Sequence, residues 1–317
     1  MSGGRPDGAA GPVAVGLDLG GTGIRGVARR DGATIASAHA LSAELGAGPV
    51  PERVSRLAHL VTGLLPPGTA PAAVGIGASG PVDNSAGVIH NQDTLPWFSD
   101  FPLTTLLRAR LDVPVVIDND AVSAALGEHA AGAGRHCDRM LMITLGTGIG
   151  VAMLINGRPV RGLNGAHPEG GHLPVTADPD ACYCGLTGCW EQAASRGALQ
   201  RMLRGRLGDG HPPRETVGRG AEAAATDPSV RGIFHQYGLL VGRGLAALHA
   251  LYQPELTVIG GSAASCLSLF AAGMNQALQR SAPFAVPTRI RPAELGDDAG
   301  AVGAAVLALA STAEQGR

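Results

Sequence analysis

The chain lacks lysine altogether, and all 24 of its basic residues are arginine. A protein without lysine cannot hold a nucleotide through a P-loop lysine or through the strand lysine of protein kinases. It also cannot form the Schiff bases that lysine amines make with carbonyl substrates. Any nucleotide phosphate must therefore be held by backbone N–H groups, by Mg²⁺ or by arginine.

The 317-residue chain also carries little net charge and no long apolar run. Its formal net charge of −2 gives no electrostatic basis for binding nucleic acid or an anionic membrane surface. No stretch of 18 apolar residues occurs, so we expect no membrane-spanning helix. Residues 1–12 lack the apolar centre of a signal peptide, and we expect a short disordered leader on a cytoplasmic protein.

Cysteine is scarce, and three of the five cysteines lie close together in the sequence. With a nearby histidine they have the spacing of a zinc site: His172, Cys182, Cys184 and Cys189. Zn²⁺ binds four such ligands in a tetrahedron, and a Cys₃His set leaves no position open, so a structural site is predicted. The alternative is a group of buried thiols beside an unrelated histidine. The remaining Cys137 and Cys266 suit a reducing compartment better than a disulfide framework.

Two acidic residues flank this segment. Glu169 lies shortly before His172, and Glu191 shortly after Cys189. A bound metal would fix the positions of both carboxylates because it would fix the loop that carries them. We therefore expect a pocket beside the metal site.

A glycine turn follows the first predicted strand. The apolar run 13–19 stops at residues 20–23 and resumes over 24–29, which predicts a β-hairpin rather than a strand-to-helix P-loop. In the turn Gly20-Gly21-Thr22, backbone N–H groups can approach a phosphate closely; an ordinary hairpin turn is the alternative. Asp18, just before the turn, could hold Mg²⁺.

The same pattern recurs about 125 residues later, where Gly146-Thr147-Gly148 separates two apolar runs. Two similar segments suggest two halves of related fold that face each other across a cleft, and this favours phosphate binding at both turns. Gly260-Gly261 forms a third glycine turn after a strand.

Helices and strands alternate along the chain, so the predicted class is α/β. Hydrophobic periodicity, turns and breakers predict helices over 50–64, 120–131, 190–206, 216–225, 230–252, 265–280 and 298–309, and further strands over 34–38, 74–77, 113–117, 256–259 and 288–291.

Two further segments allow two interpretations each. Asp118-Asn119-Asp120 follows a predicted strand, where α/β sheets place their ligands, but Asn119 or Asp118 could equally cap the following helix. The neighbouring aromatic residues Trp97 and Phe98 could line a pocket or form a local hydrophobic plug.

Taken together, these motifs resemble the ROK family of bacterial sugar kinases and sugar-responsive repressors. The matching segments are DLGGTGIRG at 18–26, GPVD at 80–83, DNDA at 118–121, ALGE at 125–128, TLGTGIG at 144–150, PEGGH at 168–172, CYCGLTGCWE at 182–191 and VIGG at 258–261. The resemblance implies an actin-like ATPase (ribonuclease H-like) fold, with two α/β domains flanking a cleft that holds ATP and sugar. The N-terminal domain would span 13–118, joined by the C-terminal helix 299–317. The C-terminal domain, with the zinc-binding loop, would span 119–298.

The resemblance also implies residue roles. Asp120 would be the general base that takes the proton of the sugar hydroxyl. The implied sugar ligands are Asn119, Asp120, Glu169, His172 and Glu191, with His172 also binding zinc. The implied nucleotide and Mg²⁺ contacts are Asp18, Gly20, Gly21, Thr22, Gly146, Thr147, Gly148, Gly260 and Gly261. A homodimer or higher homo-oligomer is implied as well.

Four positions depart from the family pattern. Gly23 stands where the family usually has lysine, which removes a charge near the phosphates; Arg25 could compensate for it. Thr94 and Val122 stand where asparagine is common, and Ser79 replaces a common proline. These changes alter the edge of the implied sugar pocket.

The resulting hypothesis is an ATP-dependent hexose kinase that phosphorylates a hydroxyl, most simply the 6-hydroxyl, with glucose as the default substrate. An amino sugar, N-acetylmannosamine, mannose, fructose or a cyclitol is the alternative substrate. Alternatives of another class are a sugar-responsive regulator and a catalytically silent sugar-binding protein. The sequence shows no basic recognition helix for a regulator, and the presence of Asp120 argues against a silent relative.

Overall fold

The structure, a computed structural model, describes residues 11–178, 181–208, 213–280 and 288–315. The strands are β1 Ala14–Leu19, β2 Gly23–Arg30, β3 Ala33–Leu41, β4 Ala73–Ala78, β5 Val82–Asp83, β6 Val88–Ile89, β7 Val115–Asn119, β8 Arg139–Leu145, β9 Ile149–Ile155, β10 Arg158–Pro159, β11 Leu256–Gly260 and β12 Arg289–Pro292. The helices are α1 Ser42–Gly46, α2 Val50–Gly63, α3 Leu103–Leu111, α4 Asp120–Ala131, α5 Trp190–Ala194, α6 Arg196–Leu207, α7 Pro213–Ala223, α8 Pro228–Tyr252, α9 Leu267–Arg280 and α10 Ala299–Gln315.

The chain forms two compact units. The first comprises Met1–Arg135, Arg161–His167 and Asp297–Arg317, and the second His136–Val160 and Pro168–Gly296. The first unit therefore extends beyond the predicted boundary at residue 118, because α4 packs against α10. Residues 1–10 of the predicted leader lie outside the described residues.

Each unit is built on a five-stranded mixed sheet with the same topology. The strand order is β3-β2-β1-β4-β7 in the first unit and β10-β9-β8-β11-β12 in the second. In both, the central strand pairs antiparallel with the strand that follows it and parallel with the next strand across. The prediction of two halves of related fold is thus confirmed at the level of strand order.

Helix α10 packs on the sheet of the first unit so closely that the backbone of the helix contacts the backbone of the strands. A Cβ at Gly16 or Gly75 would collide with carbonyl oxygens of α10, and a Cβ at Gly303 would collide with the Ser123 carbonyl of α4. These glycines let α10 approach the sheet and α4 closely, and the inner alanines of α10 are fully buried. The C-terminal helix is therefore part of the first unit's core.

Some local predictions differ from the structure. The single helix predicted over 190–206 is divided into α5 and α6, because Ser195 is extended and its side chain accepts a hydrogen bond from Ala198 N (3.3 Å), which caps α6. Helix α3 and the short hairpin β5–β6 were not predicted from the sequence. Phe98 is fully buried in the core, while Trp97 contacts Gly46, as the hydrophobic-plug interpretation requires. Among the described residues, no helix is long and apolar enough to cross a membrane.

The close approach of α10 can be tested with Gly303→Ala. Because the added methyl collides with the Ser123 carbonyl, we expect the free energy of unfolding to fall by about 1–3 kcal/mol, measured by urea unfolding. Gly232→Ala is the matched control, since Gly232 is exposed within α8 and nothing lies near its Cβ position. That change should leave stability unchanged or raise it by up to about 1 kcal/mol. Equal effects of the two changes would contradict the close packing.

Candidate functional site

In the first unit, the carboxyl ends of the parallel strands β1, β4 and β7 meet at one edge of the sheet. Asp118, the next-to-last residue of β7, is fully buried. Its carboxylate accepts hydrogen bonds from Asn119 N (2.8 Å) and from Arg161, whose Nη1 lies at 3.2 Å and whose Nη2 makes a second contact. This ion pair, between residues 43 positions apart, neutralises the buried carboxylate and fixes the segment that leads into α4.

Asn119 is the N-cap of α4. Its Oδ1 accepts hydrogen bonds from Ala121 N (2.9 Å) and Val122 N (3.4 Å), while its Nδ2 donates to Gly80 O (3.4 Å). Of the two capping candidates, the structure thus selects Asn119, and Asp118 pairs with arginine instead. Asp120 begins the helix, and its Oδ1 accepts a hydrogen bond from Ala121 N (2.8 Å). The cap therefore sets where the Asp120 carboxylate is placed.

Asp18 lies at the end of β1, beside the first turn of α10. A Cβ at Gly300 would come within 2.6 Å of its Oδ2, so glycine is needed there. Burial, followed by the negative charge of Asp120, raises the pKa of Asp18 to about 7, although Arg25 opposes the shift. A carboxyl group held in this way has a strong electrostatic preference for a nearby cation.

The first glycine turn is closed by a hydrogen bond from Gly20 N to Gly23 O (3.1 Å). A Cβ at Gly21 would lie 2.8 Å from Thr94 O, and one at Gly23 would lie 2.5 Å from His39 Nε2. The imidazole of His39 thus occupies the space beside Gly23 that a side chain there would need. Arg25, the candidate for compensation, donates to Asp297 Oδ2 at 2.6 Å.

In the second unit, two predicted nucleotide turns lie at the same sheet edge. Gly260 pairs with Thr144 across parallel strands, and a Cβ at Gly261 (φ +77°) would lie 2.6 Å from the Leu145 backbone. The turn Gly146-Thr147-Gly148 is closed by a hydrogen bond from Gly146 N to Gly148 O (3.0 Å). The first residue of α6 donates its N–H to Gly146 O (3.0 Å), so a helix N-terminus abuts this turn.

The structure brings together the four predicted metal ligands. The ligand atoms of His172, Cys182, Cys184 and Cys189 all lie within 4.8 Å of one another. Cys184 Sγ lies 3.6 Å from Cys189 Sγ, and Cys182 Sγ lies 3.6 Å from His172 Nδ1. A tetrahedral zinc site with ordinary bond lengths has S–S separations of about 3.8 Å and S–N separations of about 3.6 Å. The donor set and its spacing therefore suit Zn²⁺.

The cysteine loop is anchored by its neighbour Trp190. This side chain is fully buried, and its Nε1 donates to Leu240 O of α8 at 3.0 Å. Trp190 N also donates to Leu173 O (2.8 Å), which ties the start of α5 to the histidine segment. Gly188 adopts a φ of +69°, and a Cβ there would collide with the Thr176 carbonyl. The conformation of the loop at Gly188 and the buried side chain of Trp190 together determine the positions of the cysteine sulfur atoms.

A hydrogen-bonded chain leads from the cluster to Glu191. Tyr183 Oη lies 3.1 Å from His172 Nε2 and donates to Glu191 Oε1 at 3.0 Å. Glu191 Oε2 accepts from Ile149 N (2.9 Å), at the end of the second glycine turn. The pKa of Tyr183 is raised, first by burial of its hydroxyl and then by the charges of Glu191, Cys182 and Glu169. Two predicted sugar ligands of this unit, His172 and Glu191, thus contact one phenol.

Sequence reasoning missed two residues of these sites. Arg161 follows the β10 strand and gives no local signal of its pairing with Asp118, since that contact is made only by the fold. Tyr183 could have been noticed because it lies between two metal ligands in the Cys-x-Cys motif and is one of only three tyrosines. Of the departures from the family pattern, Val122 is buried, while Thr94 N donates to Asn91 Oδ1 at 3.1 Å.

The repeated sheet with glycine turns at strand ends defines the actin-like ATPase fold. The crystal structure of a ROK hexokinase from Thermus thermophilus matches with a TM-score of 0.80 at 32% identity, covering 95% of this chain and 99% of that chain. A ROK-family glucokinase from Streptomyces griseus, in complex with glucose and AMPPNP, matches with a TM-score of 0.78 at 30% identity, covering 94% and 99%.

Sequence comparisons agree. The ROK family matches residues 14–311. A glucokinase from Streptomyces coelicolor is 34% identical over 319 residues, covering 93% of this chain and 97% of that protein. The chain therefore belongs to the ROK family.

The raised pKa of Asp18 makes a prediction about stability. Since the folded-state pKa of about 7 exceeds the ordinary aspartate pKa of 3.8, the folded protein retains a proton that the unfolded chain loses. The carboxyl group then destabilises the fold increasingly as pH rises from about 4 to 7, and fully above that range. Asp18→Asn should therefore raise the free energy of unfolding on the order of 1–3 kcal/mol near pH 8, and less near pH 5.

The measurement is urea unfolding without added Mg²⁺ or nucleotide. The matched control is Asp112→Asn, a change at an exposed left-handed position after α3 where asparagine is well tolerated. A stabilisation by Asp18→Asn that does not grow with pH would contradict the assigned pKa.

Proposed function

We propose that this protein transfers the γ-phosphate of MgATP to the 6-hydroxyl of a hexose, with glucose as the first candidate. The observation that carries this proposal is the likeness, across nearly the whole chain, to a glucokinase that holds glucose and AMPPNP. The chain also presents the residue types that such a reaction needs: a carboxylate at a helix start, glycine turns at strand ends, and a second set of carboxylate and imidazole groups.

Asp120 is the proposed general base. The cap by Asn119 holds Asp120 at the first turn of α4. A hydrogen bond from Ala121 N to Asp120 Oδ1 fixes the orientation of the carboxylate. In the reaction, Asp120 takes the proton of the sugar hydroxyl as that oxygen forms a bond to the γ-phosphorus. The bond to the β–γ bridging oxygen breaks, and ADP leaves with the electron pair.

The remaining sugar hydroxyls are assigned to Asn119, Glu169, His172 and Glu191. Carboxylates accept from hydroxyl groups, and the imidazole Nε2 offers a single donor when Nδ1 is bound to a metal. Glu191 is the best-placed member, because its other oxygen is fixed by Ile149 N. The same contact joins the proposed sugar ligands to the second glycine turn.

The nucleotide phosphates are assigned to backbone N–H groups, since the chain has no lysine. The turns Gly20-Gly21-Thr22 and Gly146-Thr147-Gly148 supply these donors, and Gly260-Gly261 is assigned to the neighbourhood of the adenosine. Asp18 is the proposed carboxylate for Mg²⁺, which would neutralise charge on the transferred phosphoryl group. Arg25, the arginine that could compensate for the missing lysine, is paired with Asp297. Backbone N–H groups are therefore the main proposed ligands of the phosphates.

Zn²⁺ is the proposed occupant of the His172–Cys189 cluster, where it would act structurally. The four ligands leave no open position for substrate or water. A metal on Nδ1 of His172 would direct the proton of that ring to Nε2, toward Tyr183 and the proposed sugar ligands. The thiolates that this site needs suit a reducing, cytoplasmic location.

Alternative substrates are an amino sugar, N-acetylmannosamine, mannose, fructose or a cyclitol. The sharpest test is ATP consumption by the purified protein across a panel of these compounds and glucose, compared by kcat/KM. A clear preference for glucose would support the proposal. A preference for another compound would keep the kinase but change the substrate, whereas absence of turnover with all of them would favour a silent sugar-binding protein.

Replacing the proposed base should separate chemistry from binding. Asp120→Asn is expected to lower kcat by about 10²–10⁴-fold, because proton abstraction is lost, while the Kd for glucose measured by calorimetry changes little. Asp112→Asn, the same change at an exposed site, serves as the control and should retain full kcat. Substantial activity in Asp120→Asn would refute the assignment of the base.

Removing one proposed metal ligand should affect metal and sugar together. Cys184→Ser is expected to lose bound zinc, measured by elemental analysis, and to weaken glucose binding by about tenfold or more, since the loop that carries Glu191 loses its anchor. Cys137→Ser is the control, because Cys137 lies outside the cluster beside Glu255 (Sγ–Oε2 3.6 Å). Unchanged glucose binding in zinc-free Cys184→Ser protein would refute the supporting role of the metal.

A further inference from the structure

The hydroxyl of Tyr183 lies within hydrogen-bond distance of two proposed sugar ligands, His172 and Glu191. Its Oη lies 3.1 Å from His172 Nε2 and 3.0 Å from Glu191 Oε1. The phenol ring meets the imidazole edge-on, with centroids 5.0 Å apart. A sugar hydroxyl that bonds to both His172 and Glu191 would need the same position.

The direction of these hydrogen bonds follows from the surroundings. The Nδ1 of His172 faces Cys182 Sγ at 3.6 Å, and a metal bound to that nitrogen would place the ring proton on Nε2. Nε2–H then donates to the Tyr183 oxygen, and the Tyr183 O–H donates to the Glu191 carboxylate. One hydroxyl thus accepts from imidazole and donates to carboxylate, which is the pattern that a sugar hydroxyl presents to the same two groups.

Resting on the proposed function, we propose that Tyr183 is an internal competitor of the sugar: its hydroxyl stands in for a substrate hydroxyl between His172 and Glu191 and is displaced when the sugar binds. Tyr183 therefore sets the affinity of the site for sugar without taking part in phosphoryl transfer.

The phenol is well suited to leave this position. Tyr183 is 75% exposed, so its ring has open solvent on most sides. It lies on the loop Ala181–Thr187, where Gly185 adopts a φ of +87°. The side chain contacts the imidazole of His172 edge-on and makes the two hydrogen bonds. Tyr183 belongs to neither of the two buried apolar cores, so its movement leaves both cores intact. Glu191 would stay in place, because Ile149 N holds its second oxygen.

Displacement has a measurable cost. A hydrogen bond of this kind favours the arrangement that contains it by a factor of roughly 2–10. The sugar must overcome that preference before it can bond to His172 and Glu191, so its apparent affinity is reduced in proportion to the fraction of molecules in which the groups are available. Removal of the Tyr183 hydroxyl should remove this reduction.

The test is glucose binding by Tyr183→Phe, measured by calorimetry with D-glucose in the absence of nucleotide on protein of verified zinc content. We expect the Kd for glucose to fall by about three- to tenfold relative to the wild-type protein. At saturating glucose kcat should be unchanged, so the effect appears in KM. Tyr252→Phe, which removes a hydroxyl at the end of α8 outside the proposed sites, should leave both values unchanged.

An unchanged or larger Kd in Tyr183→Phe would overturn the inference, because it would mean that the hydroxyl does not compete with the sugar. If the wild-type protein binds glucose and Tyr183→Phe binds it no more tightly, the inference is refuted while the proposed function stands. Failure of both proteins to bind any hexose of the panel would overturn the proposed function, and the inference with it.

A second measurement does not depend on the variant. In a crystal structure of the wild-type protein with D-glucose bound, Tyr183 Oη should lie beyond hydrogen-bond distance of Glu191, with a glucose hydroxyl in its former position. Glucose bound while Tyr183 Oη keeps both contacts would overturn the inference.

Discussion

The second unit depends on the close approach of three thiols and one imidazole. Their ligand atoms lie within 4.8 Å of one another, and burial raises the pKa of Cys189 to about 12. Crowded sulfur atoms of this kind gain most from a cation that takes up their negative charge on ionisation. Because His172 belongs to the cluster and Glu191 follows its last cysteine, the same constraint determines where the polar groups of the proposed sugar site lie. The proposed metal site and the proposed sugar site are thereby joined through covalent neighbours.

The first unit depends on a different constraint, the backbone-distance packing of α10. Gly16 and Gly75 in the strands and Gly303 in the helix lack the Cβ atoms that would collide with the backbone of the facing element. As a consequence, the N-terminus of α10 comes beside Asp18, and α4 is held with Asp120 at its first turn. Both carboxylates therefore lie on rigid elements, and the charge of Asp120 contributes to the raised pKa of Asp18. Such placement suits the base proposed for Asp120, since phosphoryl transfer depends on positioning more than on covalent chemistry.

The absence of lysine gives the electrostatics of this protein a particular form. Two arginines of the first unit are already engaged by acids, Arg25 by Asp297 and Arg161 by the buried Asp118. Neither is a free counter-charge for a phosphate. In the proposed function the glycine turns would supply backbone N–H groups instead, which keep their partial charge at any pH. In the proposed function, Mg²⁺ would supply the full positive charge near the transferred group.

The sequence by itself determined the features that rest on neighbouring residues. Strand periodicity and glycine turns predicted both hairpins, cysteine spacing predicted the cluster of His172 with three cysteines, and the repeated pattern predicted two halves of related fold. Helix bounds were less well determined, because the extended Ser195 divides a continuous periodic run. Contacts between distant residues were decided only by the tertiary structure. Asp118 meets Arg161, His39 fills the space beside Gly23, and α4 joins the first unit, because each contact requires strands and helices to be packed before the side chains can meet. The Tyr183 hydroxyl belongs to this second group, since no local pattern says that a loop will place a phenol between an imidazole and a carboxylate.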